Sequence, residues 1–229
     1  MSTDDGLPLR LVADAPKDDA AEGASRAGAT LAALHGERPG IAALLARCAR
    51  LFRQGCETCP RPIGAQCGAL LYQIARLSDV RLAVLLGAGD PAVAIWLACA
   101  LRANCRHAGD RGIIACEPEH AAAEDVRRQL RLAGVSRYVD LREGAPRRAL
   151  AGIDQPVDCV VLNGHPSLML EVLRQLQSHL RRGAMVLALP PGERNADYSG
   201  YLDYVRRPGG PFTSITLPYR EAVELSVCS

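Results

Sequence analysis

Aromatic side chains are scarce in this chain: they make up 4% of its 229 residues, so a core must be built from aliphatic residues. Lysine is almost missing, since Lys17 is the only one and arginine carries the remaining positive charge. The net charge is only +2 and no long basic run occurs, which argues against a nucleic-acid partner. No run of about 18 uninterrupted apolar residues occurs either, so we expect no membrane span.

A secretory leader and a disulfide framework are also not expected. Residues 1–17 contain acidic side chains where a signal peptide has a basic and then an apolar region. The nine cysteines are an odd number and are spread through apparent core elements, which suits a reducing compartment. We therefore predict a cytoplasmic protein.

The N-terminal part of the chain has two regions of different composition. Residues 1–37 are rich in Ala, Asp, Gly and Ser and have little apolar periodicity, so they are predicted to be a mobile tail. Apolar side chains then recur every three or four residues over residues 41–53, and a second helix is predicted over residues 65–77. We predict one domain, residues 38–229, with an N-terminal helical cap at about residues 38–78.

Short apolar runs alternate with helical patterns after residue 80. Such runs are typical of buried parallel strands joined by right-handed crossovers. The last two runs are separated by a short turn and therefore predict an antiparallel hairpin. We predict a doubly wound, Rossmann-like α/β fold with seven strands, five parallel ones and the C-terminal hairpin, preceded by N-terminal helices. The predicted strands are residues 82–86, 112–116, 138–141, 157–162, 184–189, 212–217 and 222–228.

A glycine turn follows the first predicted strand. Gly87 and Gly89 flank Ala88 and allow both positive φ and the close approach of a ligand. Asp90 suits the N-cap of the next helix, and Pro91 suits its first position. Ligands of doubly wound sheets bind at such strand ends. The alternative is a tight turn that binds nothing.

An acid, Glu117, follows the second predicted strand. Its carboxylate can accept both ribose hydroxyls of a nucleoside, or it can simply stabilise the start of a helix. The combination of glycine turn and acid favours a nucleoside-bearing ligand. NAD fits poorly, because Asp90 would repel its pyrophosphate and Pro91 has no N–H to donate.

The order of several short motifs resembles the class I S-adenosylmethionine (SAM) methyltransferases, in particular the catechol and caffeoyl-CoA O-methyltransferase-like family. The resemblance spans roughly residues 63–228. It is carried by Gly87-Ala88-Gly89, Ile95-Trp96-Leu97-Ala98, Glu117-Pro118-Glu119-His120, Val157-Asp158-Cys159-Val160-Val161-Leu162, Leu180-Arg181-Arg182-Gly183, and the closing segments Phe212-Thr213-Ser214 and Leu217-Pro218.

The resemblance implies SAM as the methyl donor, a small-molecule hydroxyl acceptor and a homodimer. It also implies a set of cofactor-binding residues at the ends of the first four strands. These are Gly87, Ala88, Gly89, Glu117, Gly144, Ala145 and Asn163.

The chain departs from the family pattern at three positions near the cofactor. Leu85 stands where the family usually has an acid, and Pro91 stands where it usually has a third glycine. The acid that commonly follows the third strand is either lost or displaced to Glu143.

The family's metal ligands are replaced as well. The matching positions here are Asn163 and the pair Leu189-Pro190, and hard cations need oxygen ligands that Leu and Pro side chains lack. We therefore expect no metal site of the family kind. Without a metal, His165 is the candidate general base, although it can equally be a surface or capping histidine. Asn163 can orient a ligand or cap a turn.

Two further groups of residues have open interpretations. Cys48, Cys56, Cys59 and Cys67 can hold zinc or an iron–sulfur cluster, form a redox-active pair, or be plain thiols, and the helical stripe around Cys48 favours plain thiols. Tyr198, Tyr201 and Tyr204 recur every three residues, so they either line an acceptor pocket or pack a helix.

Two functions remain open from the sequence. The first is a metal-independent SAM-dependent O-methyltransferase that acts on a small molecule. The second is a methyltransferase-fold protein that has lost catalysis and serves as a binding or partner subunit, which the replaced acid, glycine and metal positions motivate.

Overall fold

The computed structural model describes residues 63–104, 112–164, 166–189, 196–218 and 223–229. In chain order its helices and strands are α1 (Ala65–Leu77), β1 (Leu82–Leu86), α2 (Pro91–Asn104), β2 (Gly112–Glu117), α3 (His120–Ala133), β3 (Val139–Glu143), α4 (Pro146–Ala149), β4 (Val157–Leu162), α5 (Pro166–Leu176), β5 (Leu180–Ala188), α6 (Ala196–Val205), β6 (Phe212–Thr216) and β7 (Glu224–Cys228).

The seven strands form one sheet in the order β3-β2-β1-β4-β5-β7-β6. Strands β1 to β5 pair in parallel, whereas β7 pairs antiparallel with both β5 and β6. The strand order reverses direction at β1, which lies between β2 and β4. Ligands of doubly wound sheets bind in the crevice outside such a point. The predicted fold class is confirmed.

Helices cover both faces of the sheet, so alternate strand residues enter two separate cores. Ala83 and Leu85 of β1 face the core that α1, α2 and α3 cover, while Val84 and Leu86 face the core under α5 and α6. Every residue of β4 is buried, because this central strand has helices over both faces.

Asp158 ties three elements together at the opposite, amino-terminal edge of the sheet. Its carboxylate accepts hydrogen bonds from the backbone N–H groups of Arg81 (2.7 Å) and Leu82 (3.0 Å) at the start of β1. It also pairs with the guanidinium of Arg181 in β5. This acid therefore stabilises the sheet far from the ligand edge.

Several element bounds differ from the sequence prediction for physical reasons. The helix at residues 65–77 and the strand at residues 82–86 are confirmed. Strand β3 begins one residue later than predicted, because Tyr138 ends a 3₁₀ turn, and it continues to Glu143. Strand β5 begins at Leu180, where it pairs with Val157, although residues 181–182 are exposed and polar.

The predicted mobile tail at residues 1–37 and the predicted helix at residues 41–53 lie outside the described residues. In the part of the chain that the structure describes, no helix is long and apolar enough to cross a membrane.

Candidate functional site

The candidate site lies at the carboxyl ends of β1, β2 and β4, where backbone hydrogen bonds join the three strand ends. The N–H groups of Gly87 and Ala88 both donate to the carbonyl of Cys116, at 3.0 and 3.3 Å. The N–H of Asn163 donates to the carbonyl of Leu86 at 2.9 Å. The structure therefore brings together the glycine turn after β1 and the residues that follow β2 and β4.

Gly87 is a position where only glycine fits. Its φ is +75°, in the left-handed region, and an added Cβ would lie 1.6 Å from the carbonyl oxygen of Asn163. The side-chain amide of Asn163 donates to the carbonyl of Gly87 at 3.2 Å. Asn163 thus fixes the glycine turn with its backbone and side chain, and its amide oxygen remains as the acceptor available to a ligand.

Glu117 at the end of β2 is only 7% exposed, although it is a carboxylic acid. Burial raises its pKa, while hydrogen bonds from the N–H groups of Glu119 and Gly89 work in the opposite direction. A Cβ on Gly89 would lie 3.2 Å from its Oε2, so the missing side chain lets the carboxyl group lie against the turn. The acid and the glycine turn therefore form one unit.

Asp90 caps α2 as predicted and also makes a contact that the sequence did not reveal. Its carboxylate accepts the N–H of Ala92 at 3.0 Å and the N–H of Ile63, which lies 27 residues earlier in the chain. It is 5% exposed, and burial raises its pKa against the effect of these two hydrogen bonds. The start of the α1 region is thereby attached to the glycine turn.

Gly144 and Ala145 follow β3 and lie beside the end of β2. The N–H of Gly144 donates to the carbonyl of Glu117 at 3.1 Å, and its φ of +104° favours glycine. Its carbonyl lies 3.5 Å from the thiol of Cys116. Ala145 is the N-cap residue of the short helix α4. This part of the predicted cofactor set therefore adjoins Glu117.

Glu143 already has two charged partners, although it is the candidate for a displaced acid after β3. Its Oε2 lies 2.6 Å from His120 Nδ1, and its Oε1 pairs with Arg127 of α3. These partners lower the pKa of Glu143, and the hydrogen bond with Glu143 raises the pKa of His120. An ion-pair cluster stands at this position, a feature that residue spacing alone did not indicate.

Leu189 stands at one of the positions where the resembled family has a metal ligand. Leu189 is buried, its backbone N–H donates to Leu162 at 2.8 Å, and its side chain has no ligand atom. Within the described residues no group of three or more His, Cys, Asp or Glu side chains can hold a metal ion. Cys67 is buried in the core under α1. Cys48, Cys56, Cys59, His165 and Pro190 lie outside the described residues.

A buried acid in the hairpin also escaped the sequence reading. Glu224 begins β7 beside Ala188, the last residue of β5, and is 0% exposed. Arg206 donates to it through Nε (2.8 Å) and Nη2 (2.6 Å), and the hydroxyls of Ser214 (2.6 Å) and Thr216 (2.7 Å) donate as well. The only sequence signal was that Glu224 lies within the predicted strand at residues 222–228.

The three tyrosines of α6 pack in or against the core between the sheet and the helices α5 and α6. Tyr198 and Tyr201 are buried and stack on each other, with ring centroids 5.8 Å apart. Tyr204 packs against Phe212 of β6. This arrangement fits the interpretation of helix packing better than that of a pocket lining.

The central part of the chain matches a known protein family. A family model described as a methyltransferase domain matches residues 86–188, from the end of β1 to the end of β5. This part of the chain is therefore similar to methyltransferase domains. This match and the sheet topology confirm the resemblance drawn from the sequence. No curated protein matches the chain.

Solved methyltransferase structures have the same fold over most of the chain. The O-methyltransferase TomG from Streptomyces achromogenes, solved with SAM, is 22% identical, with a TM-score of 0.62 over 89% of this chain and 96% of its own. A Geobacter sulfurreducens methyltransferase is 24% identical, with a TM-score of 0.60 over 90% and 98%. The O-methyltransferase from Bacillus cereus in complex with S-adenosylhomocysteine (SAH) is 12% identical, with a TM-score of 0.65 over 91% and 100%. These similarities show the fold.

Proposed function

We propose that the protein is a SAM-dependent methyltransferase that transfers a methyl group to a hydroxyl of a small molecule. The observation that carries the proposal is the unit formed by the glycine turn and Glu117, whose buried carboxyl group lies against Gly89 at the carboxyl edge of the sheet. The structures of TomG with SAM and of the Bacillus cereus enzyme with SAH support the choice of cofactor.

The residues present fit a nucleoside with an attached amino-acid chain. The Glu117 carboxylate has acceptor sites beyond those used by the N–H groups of Glu119 and Gly89, and these would accept the ribose hydroxyls. Gly87, Ala88 and Gly89 provide close backbone approach, and Gly144 and Ala145 lie on the side where the base would bind. Bound there, SAM supplies an electrophilic methyl group.

The reaction that this chain can support is mainly one of positioning. An in-line displacement needs the acceptor oxygen held against the methyl carbon, and alignment accounts for much of the rate increase in such steps. Asn163, fixed by its hydrogen bonds to Leu86 and Gly87, offers its amide oxygen to orient the cofactor or the acceptor. His165, outside the described residues, remains the proposed general base for the acceptor hydroxyl.

We also propose that the transfer is independent of a divalent metal. Leu189 and Pro190 stand where the resembled family has metal ligands, and neither side chain has an oxygen atom that could coordinate a hard cation. An acceptor hydroxyl therefore has to lose its proton to a protein group or to water.

Isothermal titration calorimetry with SAM followed by a methyl-transfer screen tests the proposal. We expect saturable binding of one SAM per chain and transfer of labelled methyl to at least one member of a panel of phenols, catechols and aliphatic alcohols. The Glu117→Gln variant should bind SAM more weakly than the unaltered protein. Glu119→Gln is its matched control, because Glu119 is exposed and only two residues away. Binding without turnover across the panel would favour the non-catalytic alternative, and no binding would refute the proposal.

Homodimerisation and a cytoplasmic location stay proposals derived from the resemblance and the composition. Size-exclusion chromatography with light scattering tests the first: a mass of twice 24.4 kDa is expected. A mass of 24.4 kDa across a hundredfold dilution series, starting from about 100 μM, would contradict it.

A further inference from the structure

The two faces of the C-terminal hairpin present different side chains. Residues alternate between the faces along each strand, and cross-strand partners share a face. On the face toward α6, Glu224 and Ser226 are buried in the polar network that includes Arg206. The opposite face is apolar apart from Thr213, and so are the neighbouring residues of β5. This set, which we call the hairpin face, consists of Ile215, Leu217, Val223, Leu225, Val227, Met185 and Leu187.

The exposed fraction of the hairpin face rises toward the edge of the sheet. Met185 and Leu187 of β5 are 9% and 0% exposed, whereas Val227 of β7 is 37% exposed and Ile215 of the edge strand β6 is 60% exposed. Ile215 and Val227 are diagonal neighbours across the two strands, so they belong to one continuous apolar patch. In the part of the chain that the structure describes, the helices on this side of the sheet therefore leave its β6 end uncovered.

Helix α1 lies between α2 and the hairpin face. Its side toward α2 is in close contact, because a Cβ on Gly68 would lie 2.1 Å from Nε1 of Trp96. The rings of Tyr72 and Trp96 also meet edge to face, with centroids 6.3 Å apart. Directly after α1, the hydroxyl of Ser78 donates to Sδ of Met185 in the hairpin face at 3.5 Å. A further helix beside α1 therefore has to lie on the side away from α2, over β7 and β6.

We propose that residues 41–53 of this chain bind the hairpin face as a helix beside α1. The segment lies outside the described residues. Its apolar side chains recur every three or four positions, which predicts a helix with one apolar stripe that needs an apolar surface to cover. The stripe consists of Ile41, Leu44, Leu45, Cys48, Leu51 and Phe52. The proposal goes beyond the proposed function and does not depend on SAM binding.

The connection from this segment to α1 is long enough to reach the hairpin face. The described chain begins at Ile63, whose N–H donates to Asp90 after the end of β1. Strands β1 and β6 are separated by four strand spacings, or about 19 Å. Residues 54–64 can span about 36 Å when extended. Because the segment belongs to the same chain, its effective concentration at the face is on the order of millimolar, which favours it over a second copy of the protein.

Limited trypsin digestion of the full chain, followed by mass spectrometry, tests the proposal. Arg47 and Arg50 lie in the segment, whereas Arg10 and Arg26 lie in the predicted mobile tail, so each digest contains its own reference. A docked helix has to open before a protease can cleave it, and we therefore expect cleavage at Arg47 and Arg50 to be at least about tenfold slower than at Arg10 and Arg26. Equal rates at the four sites would overturn the proposal.

A charge on the hairpin face should release the segment. Ile215→Asp changes a side chain exposed enough for the fold to tolerate it, and it should speed cleavage at Arg47 and Arg50 by at least about fivefold. Leu132→Asp is the matched control, because Leu132 is also a large exposed apolar residue (39%) but lies in α3, which packs beside β3 at the opposite edge. The control should digest like the unaltered protein. Cleavage that stays slow in Ile215→Asp would show that the segment is bound elsewhere and would contradict the proposal.

A photoreactive group at position 215 separates the segment from a second copy of the chain. In a mixture of isotope-labelled and unlabelled protein, we expect links from position 215 to residues 41–53 within one chain. Links between chains, or links to another segment, would overturn the assignment. Protection of Arg47 and Arg50 that is lost on about hundredfold dilution would overturn it as well, since only a contact between copies depends on protein concentration.

Discussion

Gly87 and Asn163 are in such close contact that a Cβ on Gly87 would lie 1.6 Å from the carbonyl oxygen of Asn163. This contact joins the end of β1 to the residue that follows β4. Because the obstacle is backbone, a larger residue at position 87 cannot be accommodated by a change of rotamer. The contact therefore sets the shape of the edge at which we propose that the cofactor binds.

Gly87→Ala should destabilise the protein by at least about 3 kcal/mol, since left-handed strain of about 1–3 kcal/mol is added to a backbone clash. Chemical denaturation measures the change. Gly134→Ala is the matched control, because Gly134 also has a left-handed φ (+69°) but nothing lies within 4 Å of its added Cβ. The control should lose only about 1–2 kcal/mol. Equal losses in the two variants would mean that the Asn163 contact is not a constraint.

Glu117→Gln should lower SAM affinity by at least about tenfold, because charge-assisted hydrogen bonds contribute about 1.5–3 kcal/mol each. Calorimetry at neutral pH provides the measurement. Glu119→Gln should leave the affinity within about twofold of the unaltered protein. An unchanged dissociation constant in Glu117→Gln would remove Glu117 from the cofactor site.

The same Glu117→Gln variant should not lose stability at neutral pH in the absence of ligand. Burial raises the pKa of Glu117 in the folded state, so the native protein holds more protons than the unfolded chain as pH rises through the interval between the two pKa values. The free energy of unfolding therefore falls as pH rises across that interval. The Glu117→Gln variant has no charge at this position, so it does not undergo this fall. Denaturation at pH 7 and pH 4 should show a variant at least as stable as the parent at pH 7 and no such advantage at pH 4. A clear destabilisation at pH 7 would contradict this account.

Arg206→Ala should destabilise the protein by about 3 kcal/mol at neutral pH, because it leaves the buried Glu224 without its cation. Burial by itself would raise the pKa of Glu224. The ion pair with Arg206 and the hydrogen bonds from the hydroxyls of Ser214 and Thr216 outweigh burial and hold this pKa below its usual value. The stability that this provides is present above the unfolded-state pKa and is lost as pH falls through the folded-state value. The difference between parent and variant, measured by denaturant titration, should therefore shrink in acid.

Arg182→Ala, at an exposed position in β5, is the control and should change stability by less than about 0.5 kcal/mol. A difference between parent and Arg206→Ala that stays constant from pH 7 to pH 3 would mean that ionised Glu224 does not carry the effect.

Methyl transfer, once an acceptor is found, should be unaffected by EDTA. Leu189 stands at a position where the resembled family has a metal ligand, so chelation removes nothing that the reaction requires. Initial rates with EDTA and with added magnesium provide the comparison. Loss of turnover in EDTA and recovery with magnesium would contradict metal independence.

Much of the fold was predictable because apolar runs and turn residues act locally. Strand β1 and helix α1 have the predicted bounds, since each apolar pattern ends at a polar or turn residue. The start of β5 was missed because Arg181 and Arg182 are exposed and polar. They lie in an irregular stretch between Leu180, which pairs with Val157, and Met185, which pairs with Cys159, and no local pattern encodes such pairing.

The site was predictable where its residues directly follow strands. Gly89 and Glu117 meet because the carboxyl ends of adjacent parallel strands share one edge. The contact from Asp90 to Ile63 spans 27 residues, and the pairing of Glu143 with His120 and Arg127 crosses from β3 to α3. Such contacts depend on tertiary packing, so the sequence named the residues without revealing their partners.

A crystal structure of the protein grown with SAH tests the central claim most directly. We predict the ligand at the carboxyl edge of β1 and β2, with both ribose hydroxyls within hydrogen-bond distance of the Glu117 carboxylate and the thioether sulfur over the glycine turn. A nucleoside bound elsewhere on the protein, or one at this edge whose ribose does not contact Glu117, would contradict the account.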